Sequence, residues 1–114
     1  MKIESYGFGH ISIDGNVYKN DVKLLPGKGV FNWWRSSGHL VRREDIEDLL
    51  QSKARVCVLG TGAYGAMTVS PEAKSALEAQ GTDVFIEKTG SATHRFNRLI
   101  QEGKAVVGAF HLTC

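Results

Sequence analysis

From Val56 onward the chain alternates short apolar runs with segments that carry helix signals, and this alternation limits the fold more than any other feature. Residues 56–59 are apolar, and a glycine-rich turn follows at residues 60–65. Ser70-Pro71-Glu72 is a helix start, because Ser supplies an N-cap oxygen and Pro suits the first helical position. That helix runs to about Gln80, where Gly81 can take the positive φ that ends it. Residues 84–87 read as the next strand. Thr89 is placed to cap a helix over residues 91–102, with Ala92, Phe96, Leu99 and Ile100 on its buried side and Gly103 stopping it. Residues 105–112 form a final apolar strand. Strand, helix, strand, helix, strand implies parallel pairing through right-handed crossovers. The three apolar strands lack clean alternation, so both sheet faces are expected to be covered.

The first third follows a different pattern. Residues 3–8 and 10–13 are short β-forming runs, and Asp14-Gly15-Asn16 between Ile13 and Val17 is a hairpin turn, since Gly and Asn tolerate positive φ. Residues 21–25 continue extended with Val22 and Leu24 on one face. Pro26-Gly27-Lys28-Gly29 is the next turn, and residues 30–35 are a strand carrying Phe31, Trp33 and Trp34. Over residues 44–52 the period becomes helical: Ile46, Leu49 and Leu50 share a stripe, and Glu44, Asp45, Glu47 and Asp48 crowd the positive end of the dipole. The expected product is one α/β domain over residues 1–114. Its mixed sheet takes a parallel centre from the C-terminal half and antiparallel strands from the N-terminal half.

A chain of 114 residues with this composition can bury one core without staples. Its 14 basic and 12 acidic residues leave a net charge of +2, too weak and too scattered to argue for nucleic acid or an anionic membrane. Cys57 and Cys114 do not form a disulfide framework. The opening residues lack the apolar stretch of a signal peptide, and no run approaches a membrane span. A cytoplasmic setting without membrane insertion is expected.

Gly60-Thr61-Gly62-Ala63-Tyr64-Gly65 matches the dinucleotide pattern GxGxxG after an apolar strand, and Glu87 lies 22 residues beyond Gly65. The pattern is incomplete. A pyrophosphate needs a helix that opens at the second glycine, whereas Pro71 and the Ser70 cap start the helix later. Two readings remain for the turn: a strand-end bend that glycine makes without steric cost, or an anion site built from successive N–H groups. Its residues Gly60, Thr61, Gly62 and Gly65, with Thr89 and His111, are the candidate ligand set.

His111 lies at the carboxyl end of a central strand, where ligands gather in open α/β sheets. With Cys114 it could serve as base and nucleophile or hold a metal, but positions three apart on a strand face opposite sides. Two further ligands for a metal are not evident, since His10, His39 and His94 are scattered. No catalytic residue, metal site or cofactor is therefore assigned. The alternative is a buried histidine bonded to backbone and a small apolar thiol. Trp33 and Trp34 are adjacent, so one can join the core while the other meets solvent or a partner. Trp33, Trp34 and Arg35 are the candidate protein interface. They allow a homodimer without requiring one. The basic residues Arg42, Arg43, His94, Arg95 and Arg98 lack interleaved stacking aromatics and read as solvated faces.

The chain resembles a known family. Tyr6-Gly7-Phe8-Gly9 with Ile13-Asp14-Gly15 and Tyr18, then Asp21-Val22, is similar to its first hairpin. Trp34-Arg35 with Gly38-His39, Val58-Leu59-Gly60-Thr61-Gly62, Thr89, Phe96-Asn97, Gly103 and His111-Leu112-Thr113-Cys114 complete the pattern over the whole length. This is the adipogenesis-associated domain family, which also contains mitochondrial complex I assembly factor three. The resemblance implies a three-layer α/β fold with a mixed, mostly parallel five-stranded sheet and an N-terminal β-hairpin. It carries over no catalytic residue. The expected function is a non-enzymatic protein-binding or assembly module. The alternative is a small-ligand or nucleotide-binding protein or enzyme with its site at the glycine turn and the C-terminal strand end.

Overall fold

The apolar runs beyond residue 55 become the middle of a five-stranded sheet in the computed structural model, which describes all 114 residues. Three short strands come first: β1 (Ile3–Gly7), β2 (His10–Ile13) and β3 (Asn16–Tyr18). They form a separate antiparallel sheet, so the expected hairpin gains a third strand. Its tight turn works as the sequence implies, with Asp14 and Gly15 both at positive φ (49° and 84°). Next come β4 (Val22–Leu25) and β5 (Gly29–Asn32), an antiparallel pair. A two-residue strand, β6 (Leu40–Val41), leads to a 3-10 turn at Arg43–Ile46 and a short helix α1 (Glu47–Gln51). The single helix expected over residues 44–52 is thus broken near Ile46, whose ψ of 22° departs from helical values. There the Asp45 carboxylate accepts the Arg42 N–H at 2.8 Å.

The second half follows the expected alternation: β7 (Val56–Thr61), β8 (Thr68–Val69), α2 (Pro71–Ala79), β9 (Asp83–Glu87), α3 (Thr89–Gln101) and β10 (Val106–His111). Ser70 caps α2 through its side chain, which accepts the Ala73 N–H at 3.2 Å, with Pro71 as first helical residue. The pairing of β6 with β8 carries no sequence signal, because two-residue strands are too short to show a period. In the main sheet the order is β5-β4-β10-β7-β9. The strands β10, β7 and β9 run parallel, and β4 and β5 add antiparallel on the other side of β10.

Side-chain alternation along these strands feeds two cores. On one face Cys57, Leu59, Val107 and Ala109 pack with Ile46, Leu49, Ala73 and Leu77 beneath α1 and α2. On the other, Val22, Leu24, Val56, Val58 and Phe110 meet Phe96 of α3 and Ile3, Ile11 and Ile13 of the N-terminal sheet. The result is three layers, with β10 central and His111 at its carboxyl end. Burial pushes the Cys57 thiol up to about 12, so it is an inert core group. No helix is long and apolar enough to cross a membrane.

Candidate functional site

The carboxyl ends of β7 and β10 meet at the glycine turn, and there the chain binds itself. Thr89 does not cap α3, whose N-cap is Lys88. Its fully buried hydroxyl points back to the sheet instead, donating to the His111 carbonyl at 2.6 Å and accepting the Gly62 N–H at 2.8 Å. Thr61 donates its hydroxyl to the Glu87 carbonyl at 3.0 Å. The Ala63 N–H donates to the Thr113 carbonyl at 2.6 Å and the Ala66 N–H to the Cys114 carbonyl at 2.9 Å. Gly65 donates to the Gly62 carbonyl at 3.3 Å. The N–H groups of Gly62, Ala63, Gly65 and Ala66 therefore all have partners within the chain.

Close approach explains the glycines. A Cβ on Gly60 would stand 2.8 Å from the Thr89 hydroxyl and 3.0 Å from the Phe110 ring. A Cβ on Gly62, at φ +103°, would stand 2.5 Å from the Cys114 carbonyl carbon and 2.8 Å from the His111 ring. Gly60, Thr61, Gly62, Thr89 and His111 are thus brought together. Cys114 touches this group through its backbone, is exposed, and shares no hydrogen bond with His111. No cluster of His, Cys, Asp and Glu has the makings of a metal site.

A polar network lies on the other flank of His111. Asp21, just before β4, places Oδ2 2.7 Å from His111 Nδ1 and accepts the Leu112 N–H on Oδ1 at 2.8 Å. Arg35 donates through Nη2 to Asp21 Oδ2 at 2.7 Å and to the Gly38 carbonyl at 2.9 Å. An ionised carboxylate only accepts, so His111 Nδ1 carries the proton and its 3.3 Å approach to Arg35 is proximity alone. Burial would raise the Asp21 carboxyl, but the hydrogen bonds from His111, the Leu112 N–H and Arg35 together hold it below its ordinary value. The Arg35 guanidinium stacks 4.3 Å above the Trp33 ring. The Arg35 and His111 side chains are only 4% and 7% exposed, and Arg35 Nε, Arg35 Nη1 and His111 Nε2 are buried without a partner. The His39 ring meets His111 edge-on at 5.7 Å.

The Trp33-Trp34-Arg35 segment divides as the sequence suggests. Trp33 is 3% exposed and donates its indole N–H to the Asp45 carbonyl at 2.9 Å, whereas Trp34 is 79% exposed. Of the three, only Trp34 lies at the surface, because Arg35 is spent inside on Asp21. An open cleft of about 540 Å³ lies here, lined by Lys19, Asn20, Asp21, Asn32 and the three residues of the segment. Sequence reasoning missed Asp21 as a site residue and placed Arg35 at an interface rather than in a buried network.

A family model described as a protein of unknown function (DUF498/DUF598) matches residues 3–111. Among solved structures the chain is similar to a conserved hypothetical protein, PH1505, from Pyrococcus horikoshii OT3, at 27% identity and a TM-score of 0.84, covering 100% of both chains. A Bartonella henselae protein described as an outer membrane protein matches at 23% identity and a TM-score of 0.83, over 98% of this chain and 94% of that one. A Bordetella pertussis protein described as an Mth938-like domain matches at 23% identity and a TM-score of 0.72, over 97% and 85%. The last two likenesses concern the fold alone.

Proposed function

The chain belongs to the DUF498/DUF598 family, proteins of unknown function, and from that footing we propose that it is a non-enzymatic protein-binding module whose contact surface is the Trp34 cleft. The observation that carries this reading is Trp34, 79% exposed between two tethered neighbours. Its neighbour Trp33 is locked by the Asp45 carbonyl, and Arg35 is tied to Asp21 and Gly38. Trp34 is thus flanked by two anchored side chains, and an aromatic presented on a tethered segment loses less entropy on docking. Covering a side chain of this size gains roughly 1.5–3 kcal/mol. The sequence resemblance to the adipogenesis-associated family, with its complex I assembly member, supports the same reading. The free thiols Cys57 and Cys114 suit a cytoplasmic, reducing setting.

Trp34→Ala is expected to change stability by no more than about 0.5 kcal/mol, as a surface substitution, while abolishing recovery of the protein's cellular partner by crosslinking at native expression. Retention of that partner by Trp34→Ala would remove the reading.

A second reading is favoured by one observation, the unpartnered His111 Nε2 at the end of the central strand. It is a small-ligand site at His111 beside Gly60, Thr61, Gly62, Gly65 and Thr89, whose polar groups would have to exchange the partners they hold within the chain for the ligand. It predicts that some nucleotide or small anion raises the melting temperature of the protein but not of His111→Gln. A flat response across such a panel would sink it.

A further inference from the structure

The Trp34 cleft is continuous with an unpaired sheet edge, and the two together define the partner's shape and charge. The Trp33 N–H donates to the Asp21 carbonyl at 2.8 Å, which sets the phase of the β4–β5 ladder. Phe31 opposite Lys23 and Gly29 opposite Leu25 then turn their backbone groups toward β4, so Val30 and Asn32 turn theirs outward. No strand lies on that side. The opposite edge of the sheet, β9, carries Asp83 and Glu87 at its two ends, and charged edges resist strand addition. By contrast β5, with the sequence Gly-Val-Phe-Asn, has no charge, and its Phe31 is an exposed apolar residue.

The charges named at this edge that take part in no ion pair, Lys19 and Lys28, are both positive. Lys28 precedes β5, and Lys19 lines the cleft at its far end beside Asn32 and Trp34. Neither lysine takes part in any of the ion pairs, which join Lys23 to Asp48, Arg35 to Asp21, Arg42 to Glu44, Arg43 to Glu47 and Arg95 to Glu87. Asp21, the one acid in the cleft wall, is already consumed by Arg35, His111 and the Leu112 N–H.

We propose that the occupant of this surface is an extended acidic peptide segment of a partner protein, added as a sixth strand on β5. Its main chain pairs with Val30 and Asn32, an apolar side chain covers Trp34, and carboxylates meet Lys19 and Lys28. At about 3.3 Å per residue, a segment of about six residues spans the edge from Lys28 to Trp34. This rests on the reading of Trp34 as the contact surface and adds the partner's chemistry and conformation.

The test uses the full chain and two capped hexapeptides, acetyl-Glu-Val-Glu-Phe-Glu-Val-amide and its lysine-for-glutamate counterpart, followed by heteronuclear NMR. The acidic peptide is expected to shift the Val30 and Asn32 amides and the Trp34 indole. It should bind at least about fivefold tighter than the lysine peptide at low salt, the upper range for one exposed ion pair. Raising salt to about 0.5 M should bring the two together. Lys19→Glu, which leaves Lys28 offset by one acid, should bring the two affinities together, and N-methylating the peptide amides that face β5 should abolish binding. Equal affinity of the two peptides, indifference to N-methylation, or no binding at millimolar concentration would each overturn the proposal. So would a concentration-dependent dimer abolished by Asn32→Pro, since a second copy would then fill the edge. If Trp34→Ala loses the cellular partner but the peptides fail, the contact surface stands and the acidic strand falls. If Trp34→Ala keeps the partner, both fall.

Discussion

Asp21→Asn is expected to lower the melting temperature by on the order of 10–20 °C, the largest effect of any single polar substitution in this chain. The reason is the charge it leaves behind. Arg35 is 4% exposed and cannot be deprotonated, and Asp21 is its only acidic partner. Removing one member of a buried pair typically costs about 3–5 kcal/mol, because the other charge stays desolvated. Asn also brings an NH₂ donor against the Arg35 and His111 donors that Asp21 now satisfies. Adding Arg35→Met should recover much of the loss by removing the orphaned charge. A loss below about 1 kcal/mol for Asp21→Asn would mean that water reaches the network and that it is no stronger than a surface pair. The pH dependence follows in sign. The Asp21 carboxyl lies below its ordinary value in the folded chain. Its contribution is therefore complete above the unfolded carboxylate range and is lost as pH falls through the folded value. Chemical denaturation as a function of pH should show this acid loss in the natural chain and a flatter profile in Asp21→Asn.

Gly62→Ala should cost nearly as much, by a different route. A methyl there would stand 2.5 Å and 2.6 Å from the backbone carbon and oxygen of Cys114, at a φ of +103°. Backbone cannot swing aside as a side-chain tip can, so residues 113 and 114 must lift and release Ala63 and Ala66. Overpacking costs about 1–3 kcal/mol and the backbone conformation about 1–2 more. Gly81→Ala is the control, with φ +88° and nothing within 4 Å of the new methyl. Calorimetry should place Gly62→Ala well below Gly81→Ala, with faster amide exchange at Ala63 and Ala66. Equal losses for the two variants would show that φ alone matters and that the packed tail contributes nothing.

Local signals account for what the sequence made legible. Ser70-Pro71 starts α2, and Gly81 and Gly103 stop helices at φ +88° and +75°. Those signals need only a few neighbouring residues, and they place the alternation that sets the parallel sheet. The site was less legible because its partners are far apart in the chain. Asp21 and His111 are 90 residues apart. They meet only because β4 lies antiparallel to β10 with Val22 opposite Phe110, a register that no periodicity announces. Thr89 misled for a related reason. Its position is that of a cap, yet its hydroxyl is drawn to Gly62 and the His111 carbonyl across the sheet. The parity of adjacent strand residues separated Trp33 from Trp34 but could not say which is buried. That choice falls to the Asp45 carbonyl, supplied by the 3-10 turn after β6.

The place of β10 in the sheet also governs how the chain must be assembled as it is made. It is the last strand in chain order, yet it sits between β4 and β7. Until residues 106–111 emerge from the ribosome, the hairpin of β4 and β5 and the β7–β9 unit have no common neighbour in the sheet. Each also presents an unpaired inner edge. Closure is then a single late insertion that pairs both halves at once, with much of the loop entropy already lost. A nascent chain of this design is most exposed to misassociation just before its final strand arrives.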